Sequence, residues 1–277
     1  MQLLLNTIML EPNRWTAEHA LTRPLVDLLD PIASAGFREL EVWGYHLDRL
    51  SEAEVEHLAG ALQARGMRAV GVGAYPSFHL EGAADEEQRR ALDRLLAATV
   101  HLGASVFKIF PGRVASADAG ETVWRRSVEG MRRLAGRTAE ADMLLTLETH
   151  GGTLCDTLEG TRRLLDQLPE DGVGICFQPY VEHDTAAAIA AFDALGPRVR
   201  HLHLQNRGPG GPARLEEGDW TDYRRFLPHV RRSGFDGPMC LEFTAGITPA
   251  EGEAFDLAGV LANAARDRAF VGELWRP

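Results

Sequence analysis

The run MLLTLETHGG, Met143 to Gly152, holds the residues of this chain best placed to do chemistry. Met143 to Leu147 reads as a buried strand, Glu148, Thr149 and His150 follow it, and two glycines break it. An apolar strand has no structural need for a carboxylate at its end. Side chains alternate along a strand, so Thr146, Glu148 and His150 share one face and Leu145 and Leu147 the other. Three later strand-like runs end in polar groups at matching depth: Gln178, His203 and Glu242. Two carboxylates, one imidazole and one amide oxygen make a site for a divalent cation with mixed oxygen and nitrogen ligands. Such an ion polarises a carbonyl and stabilises an enediolate, with Glu148 or Glu242 as the proton-abstracting base.

Other strand ends add candidates. Lys108 is the only lysine among 29 basic residues. An amine within a strand must snorkel or face a polar cavity, which makes Lys108 a pocket residue and an acid/base candidate. His150, with glycines beside it, has room to meet substrate. Glu41, Trp43, Tyr75, Tyr180 and Arg207 are candidate substrate contacts, the aromatic rings suiting the apolar face of a sugar. Arg113 lies in a loop on the same side, and Phe110 ends another strand. His201 shares the face of His203 one step deeper, where it would support the site rather than bind.

Something must bring these strand ends together. Strand-like and helix-like stretches alternate eight times. The strands are Leu3–Met9, Glu39–Trp43, Met67–Ala74, Ser105–Phe110, the opening run, Val173–Phe177, Val199–Leu204 and Pro238–Phe243. The helices are Pro24–Ala35, Ser51–Arg65, Asp85–Leu102, Thr122–Ala141, Thr157–Leu168, Asp184–Leu195, Asp219–Ser233 and Glu251–Glu273. Ser51 and Glu54 are spaced as a capping box, and Gly36, Gly66 and Gly103 stop three helices. Eight such units predict an α/β chain forming a single (β/α)8 TIM barrel over residues 1–277, with catalysis at the strand C-terminal ends. No GxGxxG follows the first strand, which argues against a doubly wound dinucleotide-binding sheet. The segment Gly208–Gly218 is expected to be a mobile loop.

Composition narrows the class. The chain is 45% hydrophobic and 25% charged, enough for a sizeable core. A net charge of −11 with no basic run excludes a nucleic-acid binder. MQLLLNTIML lacks a basic n-region and is too short to span a bilayer, so no membrane partner is expected. Three cysteines without a CxxC pair read as reduced core thiols of a cytoplasmic protein.

EVWGYH, the FPG after the fourth strand, LETHGG, HLHLQN and LEF resemble the xylose isomerase-like barrel superfamily, the sugar phosphate isomerases/epimerases. That group includes ketose 3-epimerases and inosose dehydratases. The resemblance covers nearly the whole chain and is most specific in the last four strands. It implies a divalent metal, Mn²⁺ preferred and Mg²⁺, Co²⁺ or Zn²⁺ possible, held by Glu148, Gln178, His203 and Glu242. It also implies a small sugar or polyol substrate, and a homo-oligomer is possible. There are two departures: Gln178-Pro179-Tyr180-Val181 stands where the family has Asp-Pro-x-His, and Gln205-Asn206 where it has Lys-Asp. The expected activity is a sugar isomerase or epimerase working by proton abstraction next to a carbonyl. A sugar lyase or dehydratase is the alternative, and a non-catalytic sugar-binding or partner subunit is the reading from another class. An apurinic-site endonuclease would need more zinc ligands and a basic face.

Overall fold

The computed structural model describes residues 1–181, 183–249 and 253–276. Eight parallel strands close into a barrel: β1 (Leu3–Asn6), β2 (Glu39–Trp43), β3 (Arg68–Ala74), β4 (Val106–Ile109), β5 (Leu144–Glu148), β6 (Val173–Phe177), β7 (Val199–Leu204) and, after a small hairpin of β8 (Asn206–Gly208) and β9 (Gly211–Ala213), β10 (Met239–Leu241). Their helices are α1 (Leu25–Ser34), α2 (Glu52–Ala64), α3 (Gly82–His101), α4 (Glu121–Glu140), α5 (Leu158–Leu165), α6 (Thr185–Leu195), α7 (Tyr223–Arg232) and α8 (Leu257–Leu274). Among the described residues, no helix is long and apolar enough to cross a membrane.

The helices begin where local chemistry satisfies their free N–H groups. Ser51 and Glu54 form the expected capping box on α2. Thr157, Asp184, Asp222 and Asp256 cap α5, α6, α7 and α8 with their side-chain oxygens. Each such cap contributes about 1 kcal/mol.

Strand alternation separates two environments. Leu5, Leu40, Val42, Val72, Phe107, Ile109, Leu145, Leu147, Ile175, Phe177, Leu202, Leu204 and Leu241 are fully or almost fully buried in the main core, between barrel and helices. Burying one such side chain contributes about 1.5–3 kcal/mol. The alternate positions turn inward. Low in the barrel they supply a small separate apolar cluster, Leu4, Val70 and Cys240. Higher up they are almost all polar or charged, and still buried: Asn6, Glu41, Lys108, Thr146, Glu148, His201 and His203.

The structure departs from the sequence expectation at several element ends and in one loop. β1 stops at Asn6, because the Asn6 side chain accepts from the Ile8 N–H (3.1 Å) and starts a 3-10 turn, Thr7–Leu10. The stretch expected to be a mobile loop starts as the β8–β9 hairpin. It is pinned by Asn206, which donates to the carbonyls of Leu215 (2.8 Å) and Thr221 (2.9 Å). Gly218 allows this closeness, since a Cβ there would lie 2.3 Å from the Asn206 amide carbon. α7 starts at Tyr223 rather than Asp219, held off by its Asp222 cap. The expected start of the last helix at Glu251 lies outside the described residues; α8 begins at Leu257.

Candidate active site

The polar interior gathers at the C-terminal ends of β4–β7 and β10. His203 is its centre. Its Nδ1 lies 3.5 Å from Glu148 Oε1 and 3.4 Å from Glu242 Oε2, and has no hydrogen-bond partner. Its Nε2 lies 3.0 Å from Glu41 Oε1. Parallel register sets this meeting: Glu148 pairs with Cys176 and Cys176 with His201, while His203 pairs with Cys240, two residues before Glu242.

A second layer fixes the first. Gln178 donates from Nε2 to Glu148 Oε1 (3.1 Å). Gln205 donates from Nε2 to Glu242 Oε2 (2.7 Å) and also to the Gln178 amide oxygen. The two amides thus form a belt between the carboxylates. Their backbones are pinned in turn. Thr149 Oγ1 accepts from the Gln178 N–H (2.9 Å) and donates to its carbonyl (2.7 Å). The Tyr223 hydroxyl does the same for Gln205 (3.2 and 2.8 Å).

Lys108 Nζ donates to Glu148 Oε2 at 2.5 Å and lies 3.9 Å from Glu41 Oε1. It sits 4.8 Å from the Tyr75 ring centroid and 5.3 Å from that of Phe110. Gly73 makes the room: a Cβ there would lie 3.1 Å from Lys108 Cε. Burial lowers the Lys108 ammonium, but Glu148, Tyr75, Glu41 and Glu242 together more than reverse this and raise it well above its ordinary range. Burial likewise pushes the Glu148 carboxyl up, and Lys108 and His203 more than reverse that. Glu41 ends at about 2, burial being outweighed by His203, His201 and Lys108 together. His203 is raised well above the usual imidazole range by Cys176 and the three carboxylates, against its burial.

Glu148, His203, Glu242, Gln178 and Lys108 come together as the sequence suggested. His150 lies past the end of β5, half-buried, stacked on Phe110 with ring centroids 4.3 Å apart. It continues an aromatic wall: Phe110 against Tyr75 (4.8 Å), Tyr75 against Tyr45 (6.0 Å), and Tyr45 against Trp43 (4.8 Å). Arg113, exposed, donates to the Tyr75 carbonyl (3.2 Å) at the rim. Arg207 lies on the hairpin over Trp220, 4.9 Å from its centroid. Two expected substrate contacts are placed elsewhere. Glu41 is buried beneath His203 and held by Asn6 Nδ2 (2.8 Å), because β2 puts it one layer down. Tyr180 turns its hydroxyl to Thr161 Oγ1 (2.8 Å) and packs on Phe177, between sheet and helix. Sequence reasoning missed Asn6, Tyr45, Thr149 and Tyr223, and gave Gln205 no role. For Gln205 the signal was present, since 201, 203 and 205 share one strand face.

Glu148, His203 and Glu242 bring one ligand atom each to within 4.8 Å of one another. A buried Nδ1 without a partner, facing two carboxylate oxygens, suits a divalent cation, and those two carboxylates balance its charge. Gln178 fits as a ligand only after a half-turn of its amide, since its oxygen now meets Gln205.

Residues 29–264 match the family model for the xylose isomerase-like TIM barrel. The chain is 25% identical over 175 residues to a 3-dehydroshikimate dehydratase of Bacillus anthracis, the match spanning 62% of each chain. It is 28% identical over 119 residues to an inosose dehydratase of Clostridium perfringens, 43% of this chain and 39% of that one. The matched segments thus span less than two thirds of these relatives. A solved structure of the probable 3-DHS dehydratase of Bacillus anthracis superposes with a TM-score of 0.75 at 20% identity, over 97% of this chain and 99% of that one. A D-psicose 3-epimerase does so with a TM-score of 0.75 at 17% identity, over 99% of each. At such identities the structural likeness shows the fold.

Proposed function

The chain belongs to the xylose isomerase-like TIM barrel family, and from that premise we propose that it is a divalent-metal-dependent lyase. It removes the proton next to the carbonyl of a small polyhydroxylated substrate and expels the hydroxyl group one carbon further on. The observation that carries this reading is an asymmetry between two carboxylates. Glu148 is paired with the Lys108 ammonium at 2.5 Å, whereas Glu242 meets the Gln205 amide and faces the His203 ring. An elimination needs one base and one acid, and this site has a carboxylate without an ammonium partner and a protonated amine.

Glu242 takes the proton from carbon. The electron pair of that C–H bond moves into an enolate, and collapse of the enolate forms the new C=C bond as the neighbouring C–O bond breaks. The departing oxygen takes a proton from Lys108 Nζ and leaves as water. Lys108 recovers a proton from Glu242 through solvent, which balances the cycle. Glu148 stays ionised and holds the ammonium in place. The aromatic wall of Tyr45, Tyr75 and Phe110 excludes water from one side, while His150 hydrogen-bonds a substrate hydroxyl. Arg113 and Arg207 suit an acidic substituent at the rim. Glu148, His203 and Glu242, with Gln178 after its amide turns, would hold the metal, Mn²⁺ first and Mg²⁺, Co²⁺ or Zn²⁺ able to replace it. When bound, it supplies Lewis-acid stabilisation of the enolate oxygen.

A ketose epimerase is the second reading. It is favoured by Glu148 and Glu242 flanking the same ring nitrogen at 3.5 and 3.4 Å, as a two-base proton exchange requires. NMR in deuterated water separates the two. The substrates are 3-dehydroshikimate and inososes, named for the dehydratase relatives, and D-psicose, named for the epimerase. The expected result is a product short of one water. Deuterium entering an epimer with no loss of water would replace the lyase by the epimerase. No turnover and no exchange with any of them would overturn both.

A further inference from the structure

Beneath the upper ligands lies a second cluster, of which the proposed reaction uses only His203. Glu41 on β2, His201 and His203 on β7, and Cys240 on β10 each bring one ligand atom to within 4.8 Å of the others, and all are buried. Glu41 Oε2 lies 3.3 Å from His201 Nε2. Neither ring nitrogen of His201 has a hydrogen-bond partner. Leaving a buried polar group unsatisfied costs about 1–3 kcal/mol, so this ring stands where a partner is missing.

We propose that Glu41, His201, His203 and Cys240 form a second, deeper metal site that takes zinc and shares the His203 ring with the upper site. One thiolate sulfur, two imidazole nitrogens and one carboxylate oxygen complete a closed tetrahedral set with no position open for substrate. Sulfur selects zinc over Mg²⁺ or Mn²⁺, which prefer oxygen. Two protons leave as the ion enters, one from Cys240 Sγ and one from His203 Nε2. The ion takes their place, and Lys108, 3.9 Å from Glu41, offsets the remaining negative charge. His203 Nδ1 stays turned toward Glu148 and Glu242; when an ion fills the upper site as well, the Nδ1 proton leaves too and the ring bridges the two sites as an imidazolate. Cys240 also packs with Leu4 and Val70, which keeps the deep site dry from below.

The upper ligands contain no sulfur, and this separates the two sites experimentally. The whole protein is refolded with excess Zn²⁺, dialysed, and examined by metal analysis and zinc-edge X-ray absorption. The expected result is a sulfur neighbour at about 2.3 Å and one more zinc per chain than in Cys240→Ala or His201→Ala. A zinc signal without sulfur in the parent protein overturns the proposal whatever the variants do, and leaves the upper site untouched. Equal zinc content in the parent and in folded Cys240→Ala overturns it as well. If the upper site holds no metal, the parent keeps one sulfur-bound zinc and Cys240→Ala keeps none. That result supports this proposal while removing the metal from the lyase reading.

Discussion

Glu41 Oε1 and His203 Nε2 lie 3.0 Å apart, on the ring edge opposite the Nδ1 that faces Glu148 and Glu242. While the deeper site is empty, a carboxylate on this side of the imidazole keeps the proton on Nε2 and leaves Nδ1 as the donor to a metal in the upper site. Asn6 holds Glu41 in turn, at 2.8 Å. The residue expected to touch substrate instead orients His203, the ring proposed to hold the metal.

Replacing Glu41 by Gln should therefore weaken metal binding at the upper site by about 10–100-fold without displacing any upper ligand. The amide can donate to Nε2 and so turn the tautomer the wrong way. Titration calorimetry with Mn²⁺ measures this. Affinity equal to the parent's would mean that His203 needs no orienting partner.

Lys108→Gln keeps a hydrogen-bond donor near Glu148 but has no acidic ammonium to give. Turnover should fall by about 10²–10⁴, while deuterium exchange at the carbon next to the carbonyl persists, because Glu242 still takes that proton. Loss of both in equal measure would remove Lys108 from the acid role and make it a support for Glu148.

The barrel was legible in the sequence because its signals are local. Capping residues such as Ser51 and Thr157 mark helix starts, and alternating apolar runs mark strands. Glu148, His203 and Glu242 were legible too, being polar groups at the ends of apolar strands. Depth was not. That Glu41 sits below His203 depends on the register of β2 with β1 and β3, where Asn6 pairs with Glu41 and a bulge follows Leu40. Tyr180 reads as a rim aromatic until its strand is built, when Thr161 on α5 captures its hydroxyl. Order in the β8–β9 hairpin came from a long-range contact, Asn206 packed on Gly218, which loop composition does not reveal.

Gln178 gives a third test. Its Nε2 donates to Glu148, and its oxygen meets Gln205. Aspartate there would set a third carboxylate beside two others without a proton between them. The metal-free protein should melt lower than the parent, by a margin that a divalent ion reverses, and the variant should bind the ion more tightly. Turnover should fall, since an enolate would then meet one more negative charge. Thermal melts with and without Mn²⁺, run beside kcat, check this. Unchanged melting and unchanged affinity would place residue 178 outside the site.

The last test concerns Asp267 on α8, which ties together two loops beside the barrel mouth. Its Oδ1 accepts from the Leu215 N–H (2.9 Å) after the hairpin, and its Oδ2 accepts from Thr244 Oγ1 (2.6 Å) after β10. Burial raises its carboxyl to about 6, although both hydrogen bonds pull the other way. An unfolded aspartate titrates near 3.9. The folded state therefore binds this proton more tightly, and its stabilising effect is complete below about pH 4. It is lost as pH rises from about 4 to about 6, for a total near 3 kcal/mol. Asp267→Asn can keep both contacts, with Oδ1 accepting from Leu215 and Nδ2 donating to Thr244, and it has no proton to lose. The stability of the variant relative to the parent should therefore rise through that window and level off above it. Urea unfolding at half-unit steps from pH 4 to 7.5 measures the difference. A flat difference curve would show that Asp267 titrates as an ordinary carboxylate, its two hydrogen bonds offsetting its burial.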